Sequence, residues 1–252
     1  MRILFSLFLL VGAATLGADD FSATREKIIA AMGADIRSAE ERARDLERLP
    51  LETLEFFGLR DDMKVVELLP GGGWYSSILA PVVAEKGQFY LALGTDRAKS
   101  RLAGNPGFER LQVVAEDVTI TRLENSIYYS LDASGLGVSD ADIVFTFRNY
   151  HNFNAQGRAT MNRIVYDALK PGGIYAVVDH TRRHMEPDSP ENRRRVDPVL
   201  AIKEIQAAGF ELVDYSDLHF RADDELRYEV GRRSVTGNSD RFALKFVRRN
   251  AD

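Results

Sequence analysis

The chain has no cysteine, and that absence removes a good deal of chemistry. Disulfides, thiolate metal sites, a thiol nucleophile and acylation at cysteine are all excluded. Histidine is scarce, with 4 in 252 residues, so imidazole chemistry rests on few side chains. An excess of positive charge is lacking too: 33 Lys and Arg stand against 38 Asp and Glu, for a net charge of −5. There is no global electrostatic case for a nucleic-acid partner, and none is expected. No apolar run reaches the roughly 20 residues of a membrane-spanning helix. Residues 3–16 are mostly apolar, follow Arg2, and give way to small residues ending at Ala18. Residues 1–18 resemble a secretory signal peptide, with cleavage expected before Asp19; an uncleaved anchor is the alternative. The mature chain is then expected in the periplasm or secreted, without stable membrane insertion. Internal repeats and low-complexity tracts are absent as well.

What is present is a globular composition, 45% apolar and 28% charged, of a length that suits one decorated α/β domain. Its organising stretch is Lys64 to Ser77, KVVELLPGGGWYSS. Met63 to Val66 suit a strand covered on both faces. Pro70 ends that strand because it has no N–H for the ladder. Gly71, Gly72 and Gly73 allow positive φ and a close approach of backbone to ligand. Helix follows from Trp74 to Val83, interrupted or bounded near Pro81. Strand, glycine turn and helix start together form a crevice of the kind that binds nucleotides in open α/β sheets. The plain alternative is a flexible turn. Against it stands Glu67, an acid near the end of an otherwise apolar strand, able to accept from the turn's N–H groups or from a cationic ligand.

Further strands are expected at Gln88 to Leu93, Leu111 to Ala115, Ala141 to Phe147, Ile174 to Val178, Phe210 to Tyr215 and Arg241 to Val247. Helices are expected over Arg97 to Leu102, Gly157 to Leu169 and Val199 to Ala208. The fold class is α/β: a Rossmann-like, doubly wound seven-stranded sheet, mostly parallel, with an antiparallel last strand. Residues 19–58 read as an N-terminal helical lid over the cleft, residues 59–252 as the main domain. Within the lid, the charges of Glu40 to Glu47 read chiefly as a solvated helix with i,i+4 ion pairs. Lys170 to Gly173 reads as a turn, Asp217 to Asp240 as a long surface excursion.

These residues resemble class I S-adenosylmethionine-dependent methyltransferases. ELLPGGG is similar to their first motif, and KPGGIYAVVDH and AGFELVDYSD resemble later strands and their lead-ins. More narrowly, RARD, ETLEFFGL, VVELLPGGGWYSSILAP, FTFRNYHNF, VVDH and SDRFALKF together resemble a family of exported, predicted bacterial methyltransferases, over Arg42 to Arg248. The resemblance implies S-adenosylmethionine as cofactor and methyl transfer to an unidentified small-molecule acceptor. It implies cofactor contacts at Glu67, Pro70, Gly71, Gly72, Gly73 and Trp74, with Arg148 and Asn149 beside them. Asp117 resembles the residue that meets the adenine amine. The pattern departs at Leu69, where the family has a glycine, and at Leu93–Gly94, where it has the acid that holds the ribose; Asp96, just beyond, is the substitute. These departures keep open a second reading, a non-catalytic exported binding module with the same fold. A dinucleotide oxidoreductase fits poorly, since Gly71, Gly73 and Ser76 give only G-x-G-x-x-S.

Two polar clusters complete the expected site. RNYHNF places Arg148, Asn149, His151 and Asn152 directly after the fourth strand, where such side chains act. His151 is expected to orient or deprotonate the acceptor; the alternative is a packed structural network in which Arg148 pairs with Glu67 or Glu116. Asp179 and His180, at the end of the fifth strand, are expected to bind or deprotonate the acceptor, or else form a satisfied strand-end pair. No metal is expected there, because a site needs about three ligands and a second shell. Arg193 to Arg195 read as a solvated face, or as an anchor for an anionic acceptor.

Overall fold

The computed structural model describes residues 18–115 and 117–249. The expected signal peptide therefore lies outside the described residues but for Ala18, and so does Glu116. In chain order come α1 (Ala18–Gly33), α2 (Ala39–Ala43), α3 (Asp45–Arg48), α4 (Pro50–Phe57), β1 (Lys64–Leu68), α5 (Ser76–Val83), β2 (Gln88–Ala92), α6 (Asp96–Leu102) and β3 (Gln112–Val114). Then follow β4 (Val118–Arg122), β5 (Tyr129–Ala133), β6 (Ala141–Phe147), α7 (Ala155–Ala168), β7 (Leu169–His180), α8 (Pro198–Ala207), β8 (Phe210–Ser216) and β9 (Arg241–Arg248).

Seven strands form one sheet in the order β3-β2-β1-β6-β7-β9-β8. All pairings are parallel except those of β9, which runs antiparallel to both β7 and β8. The order reverses beside β1, so the crevice at its carboxyl end is the switch point of the sheet. Alternation along β1 divides the core. Val66 and Leu68 pack with α7 and α8, while Val65 packs with α1, α4 and α5. By the same period of two, Glu67 lies on the α5 side.

Four departures from the sequence expectations have physical causes. The 19–58 segment is not one lid. Its α1 packs on α5 and α4 with Ile28 and Ala31 buried, so it is a fixed flank, and only α2 and α3 reach the crevice. The charged run there is two short helices, and its ion pairs run beyond i,i+4: Arg37 with Asp45, eight residues apart, and Arg101 of α6 with Glu41. The KPGG turn lies inside β7, as an irregularity in its pairing with β6, with Gly172 at φ 77°. Finally, a β4–β5 hairpin occupies residues that carry no expected element. Its strands, VTITR and YSLDA, do carry the alternation of half-buried strands, with Leu131 and Ala133 turned inward, but each is only five residues long. Residues 217–240 do form an excursion without helix or strand. None of the described helices is long and apolar enough to cross a membrane.

Candidate active site

A cavity of about 750 Å³ opens at the carboxyl ends of β1, β6 and β7. Its floor is the turn after β1. Leu69 leaves the strand at φ 52°, Gly71 follows at φ 58° and Gly73 at φ 77°. A Cβ on Gly71 or Gly72 would meet nothing within 4 Å, so both backbones face open space, and both line the cavity. Gly73 does not. A Cβ there would lie 3.1 Å from Leu102 Cδ1 and 3.3 Å from Ala98, so this glycine lets α6 pack against the turn. Pro70 accepts the Gly73 N–H at 2.9 Å and closes the turn. Trp74 lines the cavity but works as a fastener: its Nε1 donates to Glu41 O at 3.1 Å, and its ring meets Arg37 and Arg48 at 4.9 and 4.2 Å.

Glu67 is buried and lines the same cavity. The Ser76 hydroxyl donates to its Oε2 at 2.5 Å. Burial pushes the Glu67 pKa up to about 7, against the lowering influence of Ser76, Arg148 and Arg48.

The RNYHNF segment turns through a short 3₁₀ helix, Tyr150–Asn152. It is held from behind: Tyr150 donates to Glu204 at 3.0 Å, and Arg158 makes a forked pair with the same carboxylate. This scaffold aims His151. Its backbone N–H donates to Asp179 Oδ2 at 2.9 Å, and its Nδ1 lies 2.5 Å from Asp179 Oδ1. A carboxylate on Nδ1 fixes the proton there and leaves Nε2 as the basic nitrogen. Nε2 has no partner among the described residues, and His151 lines the cavity together with Gly71, Gly72 and Glu67.

Asp179 is fully buried and also accepts the His180 N–H at 2.6 Å. It is a positioning residue behind His151 and does not line the cavity. His180 does line it, with Nδ1 2.9 Å from Ser239 Oγ, and burial with His151 and Arg241 nearby drives its pKa well below the usual imidazole value. Asn149 lines the cavity, but its amide N–H groups are spent on Leu69 O and Phe147 O, tying the β1 and β6 exits together. Arg148, at φ 60°, lines the cavity wall and makes no ion pair with Glu67; Glu116, its other expected partner, lies outside the described residues.

The other expected contacts lie elsewhere. A second cavity of about 390 Å³ opens at the ends of β2 and β3, and Asp96 lines that one. Leu69 stands between the two cavities: it lines the larger, and a Cβ on Gly94 of the smaller would lie 3.7 Å from its Cδ2. Asp117 is exposed and lines neither, because the chain turns away into β4. The arginine run divides. Arg195 is buried in a forked pair with Asp224, while Arg193 and Arg194 face the cavity beside Glu229. Among the described residues, no group of three His, Asp or Glu is placed to hold a metal.

Sequence reasoning missed several lining residues. Eight arginines line the large cavity against three glutamates, although the chain as a whole is acidic. Arg48 and Arg241 belong to stretches that read as solvated charge and as strand. The β4–β5 hairpin adds Tyr128 and Tyr129.

Comparison with solved structures decides the architecture. A SAM-dependent methyltransferase from Aquifex aeolicus matches at TM-score 0.57, with 16% identity over 89% of this chain and 98% of that one. The (4+2)-cyclase SpnF matches at 0.54, with 14% identity over 91% and 94%. The glycopeptide N-methyltransferase MtfA matches at 0.51, with 15% identity over 80% and 89%. The chain has the class I methyltransferase fold. No protein-family profile matches it, and no curated protein does. The cyclase among these neighbours illustrates that the fold alone does not fix the reaction.

Proposed function

We propose that the protein transfers a methyl group from S-adenosylmethionine to a small-molecule acceptor that gives up a proton as it reacts. The observation that carries this reading is the buried Asp179–His151 pair, opening on the cavity that also holds Glu67 and the Gly71–Gly72 backbone. S-adenosylmethionine supplies an activated methyl group when bound. The residues present fit it. Glu67 suits its ammonium, the open backbone of Gly71 and Gly72 suits its amino-acid end, and the smaller cavity with Asp96 at its edge suits a nucleoside. His151 Nε2 then takes the acceptor's proton, while Asp179 holds the ring in the tautomer that makes Nε2 basic. Positioning supplies the rest, since displacement at carbon depends on alignment more than on acid catalysis. The leader-like residues 1–18 support action in the periplasm or outside the cell; N-terminal sequencing from the native host should give a chain beginning at Asp19.

The test has two steps. S-adenosylmethionine should bind in a calorimetric titration. His151→Ala should keep that affinity within a few-fold while turnover on an identified acceptor falls by about 10²–10⁴. A variant that loses cofactor affinity and melting temperature together would make His151 structural. One observation favours the second reading, a binding module: Leu69, at φ 52°, puts a side chain between the larger cavity, which it lines, and Gly94 of the smaller, where a glycine would put none. Failure of S-adenosylmethionine and its demethylated product to bind would select that reading.

A further inference from the structure

Arg48, Arg148 and Arg241 come from the end of α3, the exit of β6 and the start of β9, and all line the large cavity. Arg48 and Arg241 are 3% and 6% exposed. Buried arginine elsewhere in the chain meets a carboxylate, as Arg37 meets Asp45, Arg158 meets Glu204 and Arg195 meets Asp224. These three have no carboxylate partner among the described residues. Arg48 Nε and Nη1, Arg148 Nε and Arg241 Nε are buried without an acceptor. The single side-chain bond in the group runs from Arg241 Nη1 to the backbone carbonyl of Glu47 at 2.8 Å. Uncompensated burial of one guanidinium is costly; Glu67 and Asp179 act on Arg148 and Glu47 on Arg241 only from beyond ion-pair distance, so three guanidiniums facing one space are left short of counter-charge.

The methyl donor cannot supply it alone. That molecule brings one carboxylate, and its ammonium and sulfonium add positive charge. The open Gly71–Gly72 backbone would answer that carboxylate, so all three guanidiniums remain. Glu67 is a weak counter-ion at neutral pH because burial opposes its ionisation. We propose that the methyl acceptor is an anion, whose carboxylate or phosphate group seats on Arg48, Arg148 and Arg241 and so presents its nucleophile to His151. Guanidinium forks match both anions in bidentate geometry. The aromatic wall of Trp74, Tyr75, Tyr128 and Tyr129 is left for the acceptor's apolar part. This inference rests on the methyl-transfer reading for the identity of the acceptor, but the anion site can be tested apart from it.

Inorganic phosphate and succinate are titrated calorimetrically into the purified protein at low ionic strength, without and with saturating S-adenosylhomocysteine. Both anions should bind, more weakly as sodium chloride is raised. Phosphate affinity should be unchanged by S-adenosylhomocysteine. Arg148→Gln and Arg241→Gln should weaken phosphate by about tenfold or more, since a hydrogen-bonded charge is lost, and keep S-adenosylhomocysteine within a few-fold. Arg241→Lys, which keeps the charge but not the fork, should fall between. Melting temperatures show which variants are folded, and the wild-type arms stand without them. The proposal is overturned if neither anion binds wild type, or if folded variants keep wild-type phosphate affinity. It is overturned equally if S-adenosylhomocysteine displaces phosphate, because the cluster then serves the cofactor's own carboxylate. Phosphate binding with no S-adenosylhomocysteine binding would leave the anion site standing and overturn the methyl-transfer reading instead.

Discussion

Arg195 and Arg48 are both buried guanidiniums, 2% and 3% exposed, in regions built in opposite ways. Around Arg195 every strong bond is internal. Its Nη1 and Nη2 meet Asp224 at 2.8 and 3.0 Å, Nη1 also donates to Thr181 O, and Nε donates to Tyr228 O. Asp224 in turn accepts from Asp240 N and Leu226 N. This closed network pins the 217–240 excursion, which has no helix or strand of its own, to the end of β7. Around Arg48 the chain offers an indole face and, among the described residues, no acid within ion-pair distance. Burial, then Arg148 and Arg44, push its pKa down to about 8. A guanidinium resists losing its proton, so the charge stays and its cost falls on the fold. The first region is complete in the protein alone. The second is complete only with something added, which marks it as a binding site more clearly than any motif does.

The comparison breaks most severely at Asp224. Asp224→Ala leaves Arg195 buried and unpaired and frees two backbone N–H groups. Removing one partner of a buried pair costs about 3–5 kcal/mol. Chemical denaturation should show a loss of that size, and proteolysis should nick residues 217–240 first. A loss below about 1 kcal/mol would mean that Arg195 finds another acceptor, and the two regions would no longer be opposites.

Much of the frame was legible in the sequence, and the reason is burial. β1, β6 and the later half of β7 lie inside a sheet covered on both faces, so each is mostly apolar on both faces and meets a polar group at or just past its carboxyl end, in Glu67, Arg148 and Asp179. Glycines at Gly71 and Gly73 marked the turn correctly, although only the folded chain shows that Gly71 faces the cavity and Gly73 faces α6. The arginines were not legible. Nothing in ERARDLER distinguishes Arg42, which is exposed, from Arg48, which is buried, because that outcome depends on a left-handed bend at Leu49 and on where Trp74 arrives from. Asp117 is exposed and lines neither cavity for a related reason: a strand's end can be read from pattern, but the direction the chain takes beyond it cannot. The β4–β5 hairpin was missed although VTITR and YSLDA alternate, because each run is only five residues long and belongs to a separate two-stranded sheet.

A second test asks whether Glu67 is a true counter-ion for the cluster. Its unfolded pKa is near 4.5 and its folded pKa about 7. Between these values the folded state holds a proton that the unfolded state has released. Stability therefore falls as pH rises from about 4.5 to 7 and levels off above, by up to about 3 kcal/mol. Glu67→Gln keeps an acceptor for the Ser76 hydroxyl and cannot ionise, so it should remove this fall and be more stable than wild type at pH 8. The contrary outcome, a variant less stable at pH 8, would show that attraction to Arg148 and Arg48 outweighs burial. The cluster would then be internally compensated after all.

The smallest expected effect is also the most discriminating, because its sign differs between the two regions. Arg48→Met keeps an unbranched chain against Trp74 and removes the uncompensated charge. It also removes the cation–π contact, worth roughly 0.5–2 kcal/mol. The backbone carbonyl of Arg48, which accepts from Thr53 Oγ1 and Tyr75 OH, is untouched. Since replacing a buried, unpaired ion by an apolar side chain is favourable, the balance should be a gain of about 1 kcal/mol, read as a melting temperature about 2–4 °C higher. The same change at Arg195 should lower it steeply. Phosphate then supplies a crossing. Stabilisation by a ligand grows with its concentration over its dissociation constant, so wild type should overtake Arg48→Met as phosphate is raised, the variant having lost part of the site. If the two melting curves rise in parallel, phosphate is not bound at Arg48. If the variant starts below wild type, Arg48 belongs with Arg195 as a strut, and the distinction between the two regions fails at its sharpest point.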